Sequence, residues 1–233
     1  MARRSGLEPD TWQTQFLRSA ASRVLLNCSR QAGKSTMAAI ATVHTALYQP
    51  SALILMLSPS LRQSQELFKK ALACFRGLDA GVSSTTESAL RLELENGSRI
   101  VSLPGREETI RGFSGVRLLV VDEAARVASD LYLSVRPMLA VSGGRLLALS
   151  TPFGTRGWWY EAWRSDEPWE RYEVAASDCP RIPADFLDEE KRVMGKWWFA
   201  QEYECRFLDA DTQPFGREDI DRAFDEAVEP WVL

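Results

Sequence analysis

Cys28-Ser-Arg-Gln-Ala-Gly-Lys-Ser35 stands between an apolar run at 23–27 and a segment of helical character at 36–48. A strand that enters such a stretch and a helix that leaves it are the setting of a phosphate-binding loop. In this reading Gly33 lets the backbone turn its N–H groups toward phosphate oxygens. Lys34 brings a positive charge to the β and γ phosphates, and the Ser35 hydroxyl is available to Mg²⁺. Ser29, Arg30, Gln31, Ala32 and Thr36 complete the same turn and are counted with it as nucleotide-binding positions. The full pattern G-x-x-x-x-G-K-[ST] wants glycine at position 28, where this chain has Cys28. Gly-Lys-Ser alone is a short and frequent match, so the reading needs support from elsewhere in the chain.

Two further runs supply it. Arg117-Leu-Leu-Val-Val-Asp-Glu-Ala-Ala125 is continuously apolar until it ends in two adjacent carboxylates. Such runs are buried strands of parallel sheets, and ligands of open α/β sheets collect at the carboxyl ends of their strands. Asp122 would then orient Mg²⁺, directly or through water, and Glu123 would polarise a water for attack on the γ phosphate. Taken alone, the same two acids could simply open a helix. Arg145-Leu-Leu-Ala-Leu-Ser-Thr-Pro-Phe-Gly154 is a second buried-strand pattern. Its Ser150 and Thr151 are expected at the same sheet edge as Asp122, within hydrogen-bonding reach of the γ phosphate. In isolation a Ser-Thr-Pro turn is ordinary loop chemistry.

The set 28–36, the stretch Leu103-Pro-Gly-Arg-Glu-Glu-Thr-Ile-Arg-Gly-Phe-Ser-Gly115 and Ser150-Thr-Pro-Phe-Gly154 together resemble the ATPase half of the large terminase subunit of tailed bacteriophages. The resemblance extends from about Leu7 to about Phe215. Many helicase-like ATPases share the single motifs. The deviant loop carrying Arg30-Gln31, followed later by Ile110-Arg-Gly112, is more specific. The resemblance implies an α/β P-loop NTPase of the RecA-like, ASCE type: a mostly parallel sheet flanked by helices, with a small C-terminal helical lid subdomain. It implies an ATPase core at 1–176, the lid at 177–208 and a linker at 209–233. It also implies ATP and Mg²⁺ as cofactors, and a homo-oligomeric ring, a pentamer in the family, that pumps double-stranded DNA into a procapsid. The portal protein and small terminase subunit would be its partners, in the cytoplasm of an infected host. Full-length relatives continue into a metal-dependent nuclease of the ribonuclease H type, whose acid-bearing strand is expected to be missing here.

Several residues take roles by the same route. Gln13 resembles the adenine-reading Gln upstream of such loops; the alternative is an exposed Gln on a helix over the sheet. Charge builds on the phosphoryl oxygens in the transition state, which gives arginines special weight. Arg30 could contact the γ phosphate within its own chain. Arg111, flanked by Gly112 in a loop, is the preferred finger for a neighbouring subunit, with Arg126 and then Arg136 as rivals. Each could instead be a surface arginine or a structural ion pair. Catalysis is thus assigned to Glu123, Lys34, Arg30 and Arg111.

Composition sets outer limits. With 233 residues and 45% hydrophobic content, the chain can bury one sizeable core and a small appendage. No apolar run approaches a membrane span, and Met-Ala-Arg-Arg-Ser-Gly lacks a signal peptide's apolar core, so a soluble, intracellular protein is expected. Four separated cysteines and a single histidine, His44, favour neither a disulfide framework nor a zinc site. A net charge of −4 does not advertise binding through phosphate neutralisation, though a motor that grips and releases needs only local arginines. Eight tryptophans invite base stacking, but paired DNA offers no unstacked bases, so a core role is expected for 153–163.

The remaining elements follow from periodicity. A short helix is expected near 10–17, a buried strand at 52–57 and an amphipathic helix at 61–75. Period-two patterning around Asn96-Gly97 predicts a β-hairpin within 89–103. Further expectations are a helix at 129–140, a strand at 170–175, helical structure from Ile182 onward, and a short helix at 217–227. Two other functions share parts of this pattern. A superfamily-2 helicase would need a second motor domain, and a nonhydrolysing nucleotide switch would not need Glu123.

Overall fold

The computed structural model describes residues 1–78, 81–105, 110 and 112–209. The expected helix at 217–227, most of the linker at 209–233 and Arg111 lie outside the described residues. In chain order the elements are α1 (Thr11–Arg18), β1 (Arg23–Cys28), α2 (Lys34–Tyr48), β2 (Leu53–Ser58), α3 (Leu61–Arg76), β3 (Ser84–Glu87), β4 (Arg91–Leu94) and β5 (Arg99–Pro104). Then follow β6 (Val116–Asp122), α4 (Ser129–Val135), β7 (Arg145–Ser150), α5 (Gly157–Arg164), β8 (Glu170–Val174) and α6 (Ala184–Glu202).

The strands form one sheet in the order β3-β4-β5-β2-β6-β7-β1-β8. From β5 to β8 every pairing is parallel. The apolar runs of β1, β2, β6 and β7 lie in its middle, buried by helices on both faces, as a parallel sheet requires. One core packs α2 and α3 against one face; the other packs α4 and α5, with Trp158 and Trp159, against the opposite face.

β7 runs between β1 and β6, and this order builds the site. Asn27 pairs with Ser150 and Asp122 with Leu149, so the three chain ends leave the sheet side by side. The doubly wound, mostly parallel α/β architecture expected from the sequence is therefore present.

Elsewhere the structure refines the sequence reading. The hairpin turns at Asn96-Gly97, where Gly97 takes φ 81°. The Asn96 side chain donates to the Ala46 carbonyl at 2.8 Å, fastening the turn to the end of α2. The hairpin joins the main sheet, since β5 pairs in parallel with β2. β3 was not expected, because Ser84-Thr-Thr-Glu87 at the sheet edge is largely exposed and has no apolar face. The helix expected at 129–140 continues past Val135 as a 3₁₀ turn, Arg136–Leu139, where Pro137 cannot donate to an α-helical ladder.

Trp158, Trp159 and Tyr160 are buried as expected, whereas Phe153 of the same stretch is exposed and lies under Arg126 rather than in the core. Trp158 stacks on Tyr132 with centroids 3.9 Å apart and donates its indole N–H to the Val127 carbonyl at 3.0 Å.

Beyond β8, α6 is broken at Gly195, whose φ of 79° and ψ of 164° leave the helical region. Phe199 from its second half and Tyr203 just after it form a small cluster with Ala176, supported by Ile182, Leu187 and Met194. The end of α6 then returns to the sheet. Tyr203 accepts from the Ala176 N–H at 2.8 Å, and Cys205 accepts from the Asn27 side chain at 3.1 Å.

Candidate functional site

The turn between β1 and α2 is held from below and from both sides. Cys28 is the last residue of β1, fully buried and paired with Val174 of β8. Its backbone is that of a strand, so the glycine of the usual pattern has no conformational task there. Burial keeps its thiol well above the usual cysteine range. The left-handed turns come later, at Gln31 with φ 61° and Gly33 with φ 92°. A side chain at Gly33 would also place its Cβ 2.9 Å from the Gln13 amide nitrogen. Conformation and space both demand glycine at this position.

The members of the loop divide into supports and lining residues. Ser29 is fully buried and donates its N–H to the Val174 carbonyl at 2.9 Å. Ala32 is buried too, and its carbonyl accepts from Gln13 and from Arg181, both at 3.3 Å. Gln31, Gly33, Lys34, Ser35 and Thr36 line a cleft of about 740 Å³ above the turn. Among the described residues, no acceptor takes the N–H groups of Gly33, Lys34 and Ser35. Three unclaimed donors at the N-terminus of a fifteen-residue helix are suited to an anion.

Gln13 lines this cleft yet is only 1% exposed, which corrects the alternative of an exposed residue on α1. Its Oε1 accepts from the Asp10 N–H at 3.0 Å, closing a capping box, while its Nε2 reaches Ala32.

Across the cleft stand the acids. Asp122 is buried, and its Oδ1 has no partner among the described residues. Burial first, and the charge of Glu123 second, raise its pKa to about 6 in spite of Lys34. Glu123 lines the cleft with φ 49° and ψ 44°. That left-handed conformation costs a non-glycine residue of order 1–3 kcal/mol and is characteristic of functional sites. The turn is clamped by the Arg126 N–H to the Glu123 carbonyl at 2.8 Å and by the Ala125 N–H to Ser150 Oγ at 3.2 Å. Ser150 stands at the same sheet edge as Asp122, fully buried, and its oxygen holds the acid-bearing turn. Thr151 does line the cleft.

The arginines fall in different places. Arg30 lines the cleft, but its Nε is bound to Glu202 Oε2 at 2.6 Å and its N–H to the Glu202 carbonyl at 3.1 Å. The Glu202 hydrogen bond raises its pKa further. Arg126 lies over the Phe153 ring at 4.1 Å and also lines the cleft. Arg136 lies over Tyr132 at 5.5 Å beside Arg23 and Leu146, at the opposite edge of the sheet.

Three polar lining residues were missed by the sequence reading: Gln63, Lys70 and Arg181. Gln63 and Lys70 lie seven residues apart on α3 and so share a face, a signal the sequence did contain. Arg181 sits in coil between prolines; it is ion-paired with Asp10 at 2.6 Å, a contact no local pattern shows. Arg30, Lys34, Lys70, Arg126 and Arg181 line the cleft beside Glu123; Arg30 and Arg181 are paired with Glu202 and Asp10 behind it, and among the described lining residues cations outnumber carboxylates, which suits an anionic ligand.

The donors present suit a hard cation. An orphaned carboxylate oxygen on Asp122 and the Ser35 hydroxyl are oxygen ligands of the kind Mg²⁺ takes. Among the described residues no group of three His, Cys, Asp or Glu could hold a metal alone. Mg²⁺ commonly completes its shell with phosphate oxygens and water.

The family model for the N-terminal part of the terminase large subunit, T4likevirus type, matches residues 25–222. This chain belongs to the large terminase subunit family. The large subunit of the terminase of Escherichia phage T5 is 28% identical over 200 residues, which are 80% of this chain and 44% of that protein. The chain thus spans less than half the length of that curated relative. Among solved structures, the ATPase domain of the Thermus phage P74-26 large terminase superposes with a TM-score of 0.80, at 22% identity, over 88% of this chain and 96% of that one. A large terminase from a thermophilic bacteriophage, in complex with ADP, gives 0.71 at 13% identity, over 85% of this chain and 53% of that one. At such identities the superpositions speak for the fold.

Among the described residues no helix is long and apolar enough to cross a membrane.

Proposed function

We propose that this terminase chain is the ATP-hydrolysing motor of viral genome packaging, driving double-stranded DNA into a procapsid. The observation that carries the proposal is the meeting of Lys34 and Ser35 with Asp122 and Glu123 at one sheet edge, around a cleft rich in cations. Names of relatives point the same way, since structurally similar proteins are large terminases and one is a complex with ADP.

In this mechanism the N–H groups of Gly33, Lys34 and Ser35 and the Lys34 ammonium hold the β and γ phosphates. Ser35 and Asp122 would hold Mg²⁺, which supplies Lewis-acid neutralisation of phosphate charge when bound. Glu123 accepts a proton from water as its oxygen bonds to the γ phosphorus. The bond from that phosphorus to the bridging oxygen breaks, its electrons stay on ADP, and inorganic phosphate and a proton are released. Gln13 and Arg181 line the same cleft against the Ala32 carbonyl and Gly33, and Gln13 is the residue proposed to read the base. Residues 1–176 act as the ATPase core and 177–208 as a lid, joined through the contact of Arg30 with Glu202. Portal protein and small terminase subunit are the partners proposed in the host cytoplasm.

Titration with a fluorescent ATP analogue tests the site. Lys34→Ala is expected to weaken binding by about 100-fold or more, the scale of removing a charge-assisted phosphate contact from a partly enclosed site. Wild-type affinity in Lys34→Ala would move the phosphate site elsewhere.

Assembly into a ring has its own test, with Arg111 as the residue donated between copies. An arginine supplied in trans can be worth about 10³ to 10⁵ in rate. Arg111→Ala and Glu123→Gln, each inactive alone, are expected to regain ATPase activity on mixing, because one interface then combines an intact Glu123 with an intact Arg111. Wild-type hydrolysis by Arg111→Ala at every protein concentration would exclude Arg111, and Arg126 would be the next candidate.

A further inference from the structure

A smaller cleft of about 180 Å³ opens between α2 and α3, lined by Ser35, Arg62, Gln63, Glu66, Leu67, Lys70, Asp122 and Glu123. It shares Ser35, Gln63, Lys70 and Glu123 with the nucleotide cleft, so the two meet where the γ phosphate would be hydrolysed. Lys69, not Lys70, takes Glu66, at 2.8 Å. Among the described residues neither Arg62 nor Lys70 has an ion-pair partner. Gln63 accepts the Ser60 hydroxyl on its Oε1 at 2.7 Å, leaving its amide N–H groups to donate.

We propose that Arg62, Gln63 and Lys70 form a product-phosphate site, through which inorganic phosphate leaves on the α3 side while ADP still occupies the nucleotide cleft. This rests on the ATPase reading above. ADP on the loop would fill the nucleotide cleft, so phosphate formed beside Glu123 would not leave through it. The smaller cleft is the opening next to it. Arg and Lys side chains and an amide NH₂ are donors without acceptor capacity at the atoms offered, which suits a phosphate dianion. The wall also carries Glu66, Asp122 and Glu123. Lys69 pairs with Glu66 at 2.8 Å, Lys34 and a cation on Asp122 would offset Asp122, and Glu123 repels the anion outward. A site of this composition holds phosphate weakly enough to release it.

The test is equilibrium dialysis of radiolabelled inorganic phosphate against the whole chain saturated with MgADP, at fixed ionic strength. Wild type is expected to bind phosphate. Lys70→Gln should weaken that binding about tenfold, as loss of one partly exposed charge-assisted contact implies. Arg62→Gln should weaken it less, and Lys70→Arg should restore most of the affinity. The MgADP affinity of Lys70→Gln should fall by much less than its phosphate affinity. Undiminished phosphate binding by Lys70→Gln overturns the proposal. So does a loss of MgADP affinity as large as the loss of phosphate affinity, which would assign Lys70 to the nucleotide. If wild type binds MgADP and no phosphate, this site alone falls; if it binds no MgADP, the ATPase reading falls with it.

Discussion

Glu123→Gln is expected to bind ATP about as tightly as wild type and to hydrolyse it about 10³-fold more slowly. General-base catalysis contributes about 10²- to 10⁴-fold, and Glu123 is the carboxylate placed for it, lining the cleft beside the buried Asp122. The substitution is nearly isosteric and leaves the clamp from the Arg126 N–H to the carbonyl of residue 123 in place. It removes a proton acceptor and little else. The left-handed backbone that aims the side chain is as costly for Gln as for Glu, so folding stability should change little. Rapid-quench measurement of ATP cleavage, beside a binding titration on the same preparation, separates the two effects. A rate within a few-fold of wild type would remove Glu123 as the water activator. If wild type binds ATP and never cleaves it, the chain is a nucleotide switch rather than a motor.

The central architecture was legible because it depends on local signals. Runs such as Leu118 to Val121 and Leu146 to Leu149 are apolar without interruption, and only a strand covered on both faces uses that pattern. Chemically active residues follow at the ends of those runs, at Ser29 to Ser35, Asp122 to Glu123 and Ser150 to Thr151, and a parallel sheet collects such ends at one edge. What escaped the sequence depends on distant pairing. Arg30 reads as a residue free to meet a phosphate, yet it is bound by Glu202, 172 positions away. Ser150 reads as a residue within reach of the γ phosphate, and the sequence does not show that its oxygen also accepts the Ala125 N–H. Arg181 is invisible as a site residue until the chain brings it back to Asp10 and Ala32. Cys28 looked like a defect in the loop pattern. It ends a strand instead, and the turn needing glycine is at Gly33.

Asp122→Asn is expected to abolish metal-dependent hydrolysis while making the metal-free protein more stable at neutral pH. The carboxylate of Asp122 is buried, and one oxygen has no partner. Its ionised form is therefore costly in the folded chain, and burial with the Glu123 charge raises its pKa from 3.8 to about 6. A raised carboxylate pKa means that the folded state holds this proton more tightly than the unfolded state. The resulting stabilisation is complete below about pH 4 and is lost as pH rises to about 6, on the scale of ~3 kcal/mol for a shift of that size. Asparagine never ionises, so it escapes this loss. The melting temperature of Asp122→Asn without metal should exceed that of wild type by several degrees at pH 7.5, since ~1 kcal/mol moves a domain of this size by about 2–4 °C. The gap should close near pH 4, where wild-type Asp122 is protonated as well. Saturating MgADP should raise the melting temperature of wild type more than that of Asp122→Asn, because only wild type keeps the carboxylate for the cation. A metal-free Asp122→Asn protein that melts below wild type at pH 7.5 would mean that the fold already compensates the charge, and that Asp122 is a structural acid rather than one held ready for a metal.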